Sequence, residues 1–140
     1  MTSYKWSRIM YDFHRSYYEK TDPGGKMKNW PIVVDGDRLV EDTKGQMKKF
    51  CDIAGLDESE IQYSWEAAGL EPDEKPLSSF LRTIKESTGV IKGPPSSMIP
   101  DLELQVKKWA EEWDEKAAQR MKEAVESAMD DYNYLLARCI

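Results

Sequence analysis

From Asp101 onward the sequence repeats an apolar residue every three or four positions, and this pattern constrains the fold more than any other feature. Leu102, Val106, Trp109, Trp113, Ala117, Met121, Val125, Ala128, Tyr132 and Leu135 form the series. That spacing gathers the side chains on one face of a helix turning 3.6 residues at a time. The stripe is read either as one long helix or as two helices nearly in register, with Asp130-Asp131 as the expected break. Strongly helical packing is therefore expected for the last third of the chain.

The first segment has the same period. Trp6, Ile9, Met10, Phe13 and Tyr17 share one face, and Lys5, Arg8, Asp12 and Arg15 lie largely on the other. The spacing predicts a helix over residues 1–20. Asp22-Pro23-Gly24-Gly25 ends it, because proline cannot continue a helix and glycine adopts unusual backbone angles. Pro31-Ile32-Val33-Val34-Asp35-Gly36-Asp37 then has the apolar, β-branched composition of a buried strand running into a turn. It is the one strand the sequence suggests, and a lone strand needs a partner for its backbone groups.

Residues 43–54 read as a helix. Thr43 and Gln46 have capping-box spacing, Met47, Phe50, Cys51 and Ala54 make its apolar stripe, and Gly55 occupies the C-terminal cap position. Asp57 to Glu66 holds a brief helical turn ending in Tyr63-Ser64-Trp65. Gly69 to Pro76 reads as linker. Leu77, Phe80, Leu81 and Ile84 define a short helix closed by Ser87-Thr88-Gly89, and Lys92 to Ser97 reads as loop. The expected architecture is mainly α, a single domain over residues 1–140 built of amphipathic helices with one short strand.

Bulk properties narrow the function. A chain of 140 residues can bury one core. Its 40% hydrophobic and 11% aromatic content argues against disorder. A net charge of −6 argues against nucleic acid or an anionic membrane as partner. The balance is uneven, since Lys5, Arg8, Arg15, Lys20, Lys26 and Lys28 sit among the first thirty residues against Asp12, Glu19 and Asp22. Cys51 and Cys139 are too few for a disulfide framework or a cysteine zinc site. No apolar run approaches the roughly 20 residues of a membrane span, and the start lacks a signal-peptide apolar region. A cytoplasmic setting is expected.

The candidate chemistry is sparse. His14 is the single histidine, the residue type that titrates near neutrality, and is a candidate acid or base; a packing role is the plainer alternative. Asp35 and Asp37 alternate at a strand end, where ligand sites of α/β folds lie; they form a carboxylate pair, or one caps the next helix and the other is solvated. Trp6, Trp30, Trp65, Trp109 and Trp113 either fill the core or line an apolar cavity. No metal-ligand spacing and no nucleophilic elbow appears.

Residues 30–140 resemble the C-terminal portion of the P-loop sulfotransferase family. The resemblance rests on Val33-Val34-Asp35-Gly36-Asp37-Arg38-Leu39, then Lys49-Phe50-Cys51, Gly55-Leu56, Ser64-Trp65, Ser87-Thr88-Gly89 and the ending Ala128-Met129-Asp130-Asp131-Tyr132-Asn133-Tyr134-Leu135, taken in that order. It implies an α/β ancestor whose donor, 3′-phosphoadenosine 5′-phosphosulfate, is held by an N-terminal strand, Gly-rich loop and helix and by a second Arg/Ser element. This chain begins downstream of both. Asp22-Pro23-Gly24-Gly25-Lys26 lacks the preceding strand and the spacing of a phosphate loop. Ser87, Thr88 and Lys92 would contact an anion by the resemblance, or form a helix-terminating turn.

A self-sufficient sulfotransferase is thus not expected. The first expectation is a cofactor-independent protein binding a hydrophobic small molecule, a cyclase or isomerase of a biosynthetic intermediate. His14, Asp35 and Asp37 would be its catalytic residues. Trp6, Phe13, Tyr17, Trp30, Trp65, Ser87, Thr88 and Lys92 would be its ligand contacts, with no cofactor and no metal. The alternatives are a non-catalytic interaction module and a sulfotransferase fragment that needs a separate P-loop half. A homodimer pairing the Ile32–Val34 strands, or packing the C-terminal helices, would cover the exposed edge and patches. The first helix would help cover surfaces left by the absent half.

Overall fold

The computed structural model describes residues 4–68, 77–93 and 101–140, and it is mainly helical. Six α-helices follow in order: α1 Tyr4–Thr21, α2 Gly36–Glu41, α3 Thr43–Ala54, α4 Leu77–Lys85, α5 Leu102–Glu112 and α6 Glu115–Leu136. A 3₁₀ turn, Glu58–Glu60, lies between α3 and α4. The linker expected at Gly69–Pro76 and the loop residues Pro94–Ser97 lie outside the described residues. Contacts divide the chain into two compact units, Met1–Asp35 with Ser96–Ile140, and Gly36–Pro95.

In the first unit the C-terminal stripe forms two helices. Their break is at Trp113-Asp114, not at Asp130-Asp131. Asp114 has extended backbone angles and accepts a hydrogen bond from the Ala117 N–H at 2.7 Å, which caps α6. Asp101 caps α5 in the same way through the Glu103 N–H. The chain doubles back at this break, so that Lys122 of α6 pairs with Glu103 of α5 at 2.5 Å. Asp130 and Asp131 lie inside α6, where Asp131 receives the Arg8 guanidinium at 3.0 Å.

Helix α1 packs on α6, but through the face the sequence assigned to solvent. Tyr4 meets Tyr132 edge-on at 5.3 Å, and Tyr11 meets Tyr134 at 6.3 Å. The Tyr134 ring lies under Arg8 at 4.0 Å and Arg138 at 3.4 Å, and its hydroxyl donates to Asp12 at 2.6 Å. The apolar stripe points the other way: Trp6 is 67% exposed and Phe13 63%. Positions 4, 8 and 11 point nearly opposite to 6, 10, 13 and 17 at 3.6 residues per turn, so one helix cannot set both groups against α6. The contacts made by Arg8 and Asp12 decide the orientation. The expected cover by Trp6, Ile9, Met10, Phe13 and Tyr17 is therefore corrected: these side chains are themselves uncovered.

The expected strand at residues 31–34 is reduced to a one-residue parallel bridge between Val33 and Cys139, with the Ile140 N–H donating to the Val33 carbonyl at 3.1 Å. No longer ladder is present among the described residues.

In the second unit, α3 starts on Asp42, whose carboxylate accepts from the Gly45 N–H at 3.0 Å. The Thr43–Gln46 capping box does not form; Gln46 is buried, with its carbonyl oxygen unpaired. Gly55 closes the helix at φ 71°, a left-handed angle that glycine adopts without a Cβ clash. Cys51 is buried and Met47, Phe50 and Ala54 are half-buried, as the stripe predicts. Beyond the 3₁₀ turn, Ser64 bridges antiparallel to Gly89, and the Trp65 N–H donates to the Thr88 carbonyl at 3.1 Å.

Candidate functional site

An apolar groove of about 460 Å³ lies on α6 in the first unit. Its floor is the α6 series Met121, Ala124, Val125, Ala128, Met129 and Tyr132, which recurs at helical spacing along one face. Ala124 and Ala128 supply the room, since a methyl group leaves space that the flanking methionines border. Trp109 of α5 and Tyr4 of α1 complete the walls. The volume falls within the few hundred to about 1,000 Å³ typical of small-molecule sites. Among the described residues the lining carries two phenolic hydroxyls and no formal charge, so the groove suits an apolar body with a polar handle.

A second groove, about 300 Å³, runs between α1 and the extended segment. Ser7, Met10, Tyr11 and His14 face Pro31, Ile32, Val33 and Val34 across it, with Leu135 beneath. His14 is half-buried here, 5.4 Å from the Phe13 ring and stacked at 6.3 Å on Tyr18. A third cavity, about 80 Å³, lies at the end of α1 beside Asp22, Gly25 and Lys28. There the Asp22 carboxylate accepts the Met27 N–H and Arg15 donates to the Lys28 carbonyl. The loop that comes nearest to a phosphate cradle is thus closed on a carboxylate.

The predicted site residues are spread over both units. Asp35 is half-buried at the end of the extended segment, whereas Asp37 is exposed in the first turn of α2. Trp6, Phe13 and Tyr17 stand on the exposed stripe of α1, and Trp30 is half-buried before Pro31. Trp65 is 46% exposed and joins Thr88 through the backbone. The Ser87 hydroxyl donates to the Ile84 carbonyl at 2.7 Å, which closes α4, and Thr88 and Lys92 are exposed. None of these residues lines the 460 Å³ groove. Trp109 does, one of the five tryptophans for which the sequence left core filling and cavity lining open. The alternation of alanine with methionine and valine between Met121 and Met129 is the one local sign of a hollow, and it looks the same in a packed helix pair.

Few titratable groups are perturbed. Hydrogen bonding to Asp12, reinforced by burial, holds the Tyr134 hydroxyl above its ordinary value. Burial raises Tyr63, whose hydroxyl has no partner. The Glu103 carboxylate raises Lys122, and the Ser59 hydroxyl lowers Asp57. Among the described residues no group of three or more His, Cys, Asp or Glu could hold a metal, and no helix is long and apolar enough to cross a membrane.

Comparison with known proteins adds the decisive observation. The chain is 29% identical over 146 positions to the sulfotransferase ppzF of Metarhizium majus (strain ARSEF 297). It is 26% identical over 146 positions to the sulfotransferase ppzF of Metarhizium rileyi (strain RCEF 4871). In sequence the chain is similar to these two sulfotransferases. Each match takes in 99% of this chain but 41% of the relative, so the chain spans about two fifths of the curated relatives it matches. No protein-family model matches it, and no solved structure does.

Proposed function

We propose that this chain is the part of a sulfotransferase-like protein that holds an apolar, hydroxyl-bearing acceptor. The sulfo donor would be bound by a nucleotide-binding portion corresponding to length the relatives carry outside the match. The observation that carries the reading is the α6 groove, a ligand-sized apolar hollow in a chain matched almost end to end by sulfotransferases. Acceptor binding there needs shape and desolvation, which Trp109, Met121, Val125 and Met129 supply. Tyr4 and Tyr132 would orient a polar handle.

The resemblance to P-loop sulfotransferases supports the division of labour. A donor with several phosphate charges needs backbone N–H groups and basic side chains converging on it. The described groove offers neither, and the loop at Asp22 is filled by its own carboxylate. A cyclase or isomerase with an acid or base at the reacting atom would have only the Tyr4 and Tyr132 phenols to draw on among the described lining. Holding an acceptor is the better supported use.

The test is a pair of calorimetric titrations of the 140-residue chain, with 2-naphthol as an acceptor probe and adenosine 3′,5′-bisphosphate as a donor probe. The proposal expects saturable naphthol binding and no nucleotide binding. Tight nucleotide binding by this chain alone would overturn it.

A further inference from the structure

The α6 groove is long as well as apolar. Its floor runs from Met121 to Tyr132, a rise of about 16 Å along the helix axis. The two ends differ. Helix α5 runs back along α6, with Glu103 paired to Lys122. Trp109, in the last turn of α5, therefore stands at the Met121 end, beside the turn that joins the two helices. Tyr4 of α1 stands at the opposite end, edge-on to Tyr132 at 5.3 Å. Both phenols are thus at one end and the indole at the other. Between them the floor is aliphatic, with Ala124, Val125 and Ala128 in its middle.

We propose that this groove is a linear site, which takes a straight aliphatic chain with a hydroxyl at one end and selects it by length. The inference rests on the acceptor-holding reading above and names the acceptor class: a primary alcohol of about twelve carbons, not a compact ring. The shape of the groove carries it. About 460 Å³ spread over about 16 Å leaves a channel about 5–6 Å across. A methylene chain is about 4 Å across at van der Waals contact. Such a chain advances roughly 1.3 Å per carbon at standard bond lengths, so about twelve carbons run the groove from end to end. The hydroxyl belongs at the end where Tyr4 and Tyr132 bring two phenols, a group that can both donate and accept. At the other end Trp109 offers a donor alone, and its ring sets the far limit of the chain.

A compact fused ring is the competing occupant. It would use one stretch of the groove and leave the rest of the floor in water, so a longer ligand would gain nothing. A straight chain buries each added carbon against Ala124, Val125 and Ala128 until it meets Trp109. Each methylene removed from water in this way is worth up to about fourfold in affinity.

The experiment titrates straight-chain 1-alkanols, from hexanol to tetradecanol, into the 140-residue chain. Each is kept below its solubility limit, and binding is followed by calorimetry and tryptophan fluorescence. The proposal expects affinity to rise about two- to fourfold per carbon up to about twelve carbons and then to level off. Ala124→Leu sets a larger side chain on the floor about 12 Å from Tyr132. In that variant the levelling should come at about nine carbons, with hexanol bound within about twofold of wild type. Three results would overturn the proposal: affinity that levels off by octanol, affinity that climbs unbroken to tetradecanol, or an unchanged limit in folded Ala124→Leu. The wild-type series decides alone if the variant does not fold. The acceptor reading is judged apart, by 2-naphthol and the donor probe. Naphthol binding with no gain beyond octanol sinks the linear site and leaves that reading intact. A limit near twelve carbons together with tight nucleotide binding does the reverse, and binding of neither alcohols nor naphthol sinks both.

Discussion

Tyr134 lies between the guanidiniums of Arg8 and Arg138 and donates its hydroxyl to Asp12. It ties α1 to α6 where local sequence shows only a tyrosine in a polar turn. Tyr134→Phe keeps the ring stacked and removes the hydrogen bond; because Asp12 is about half exposed, the expected loss is at the low end, about 0.5–1 kcal/mol, read as a shift of the urea midpoint at pH 7. The hydroxyl also sets a pH dependence. Its pKa is raised in the folded chain, so the folded state holds the proton more tightly than the unfolded one. The associated stability is complete below pH 10 and falls as pH rises through the folded value. Comparing wild type with Tyr134→Phe between pH 9 and 11 should show the wild type declining more steeply.

At the scale of elements, the caps separate what local sequence reveals from what it hides. The helix at 43–54, its apolar stripe and the Gly55 cap were legible because they depend on near neighbours. Its N-cap was not, because Asp42, one residue earlier, places a charged acceptor on the Gly45 N–H and displaces the Thr43–Gln46 pattern. A Cβ on Gly45 would lie 2.1 Å from the Asp42 carboxylate. Gly45→Ala should therefore bring none of the roughly 1 kcal/mol that alanine usually adds to a helix, and thermal denaturation should show an unchanged or lower midpoint. Asp130-Asp131 was misread as a break because Asp131 is answered by Arg8, over a hundred residues away, a pairing no local pattern contains. Asp114→Ala should cost about 1 kcal/mol through loss of the α6 cap. Asp130→Ala should stay within about 0.5 kcal/mol; a larger effect at 130 in urea melts would contradict the assignment of the break. The strand at 31–34 was half legible. Its composition is that of a buried strand, yet among the described residues its bridge is a single one, from Val33 to Cys139.

For the molecule as a whole, amphipathic spacing told which residues of α1 share a face and was silent on which face a neighbour would cover. The same limit applies to the groove: a stripe of Met, Ala and Val on α6 has one sequence whether it fills a core or lines a hollow. His14, Asp35 and Asp37 were singled out by residue type, and the geometry places His14 beside the extended segment while Asp37 belongs to the other unit. The sulfotransferase resemblance was legible because it depends on the order of short motifs along the chain, and the two Metarhizium relatives support it at the level of the family. The central claim is that the α6 groove holds an apolar acceptor. It is tested most directly by titrating 2-naphthol into wild type and into Ala128→Leu, which fills the groove from its floor without removing a contact. The account predicts saturable binding to the wild type, weakened at least about tenfold in the variant, a change of about 1.4 kcal/mol. Equal affinity in both, with the variant folded, would contradict it.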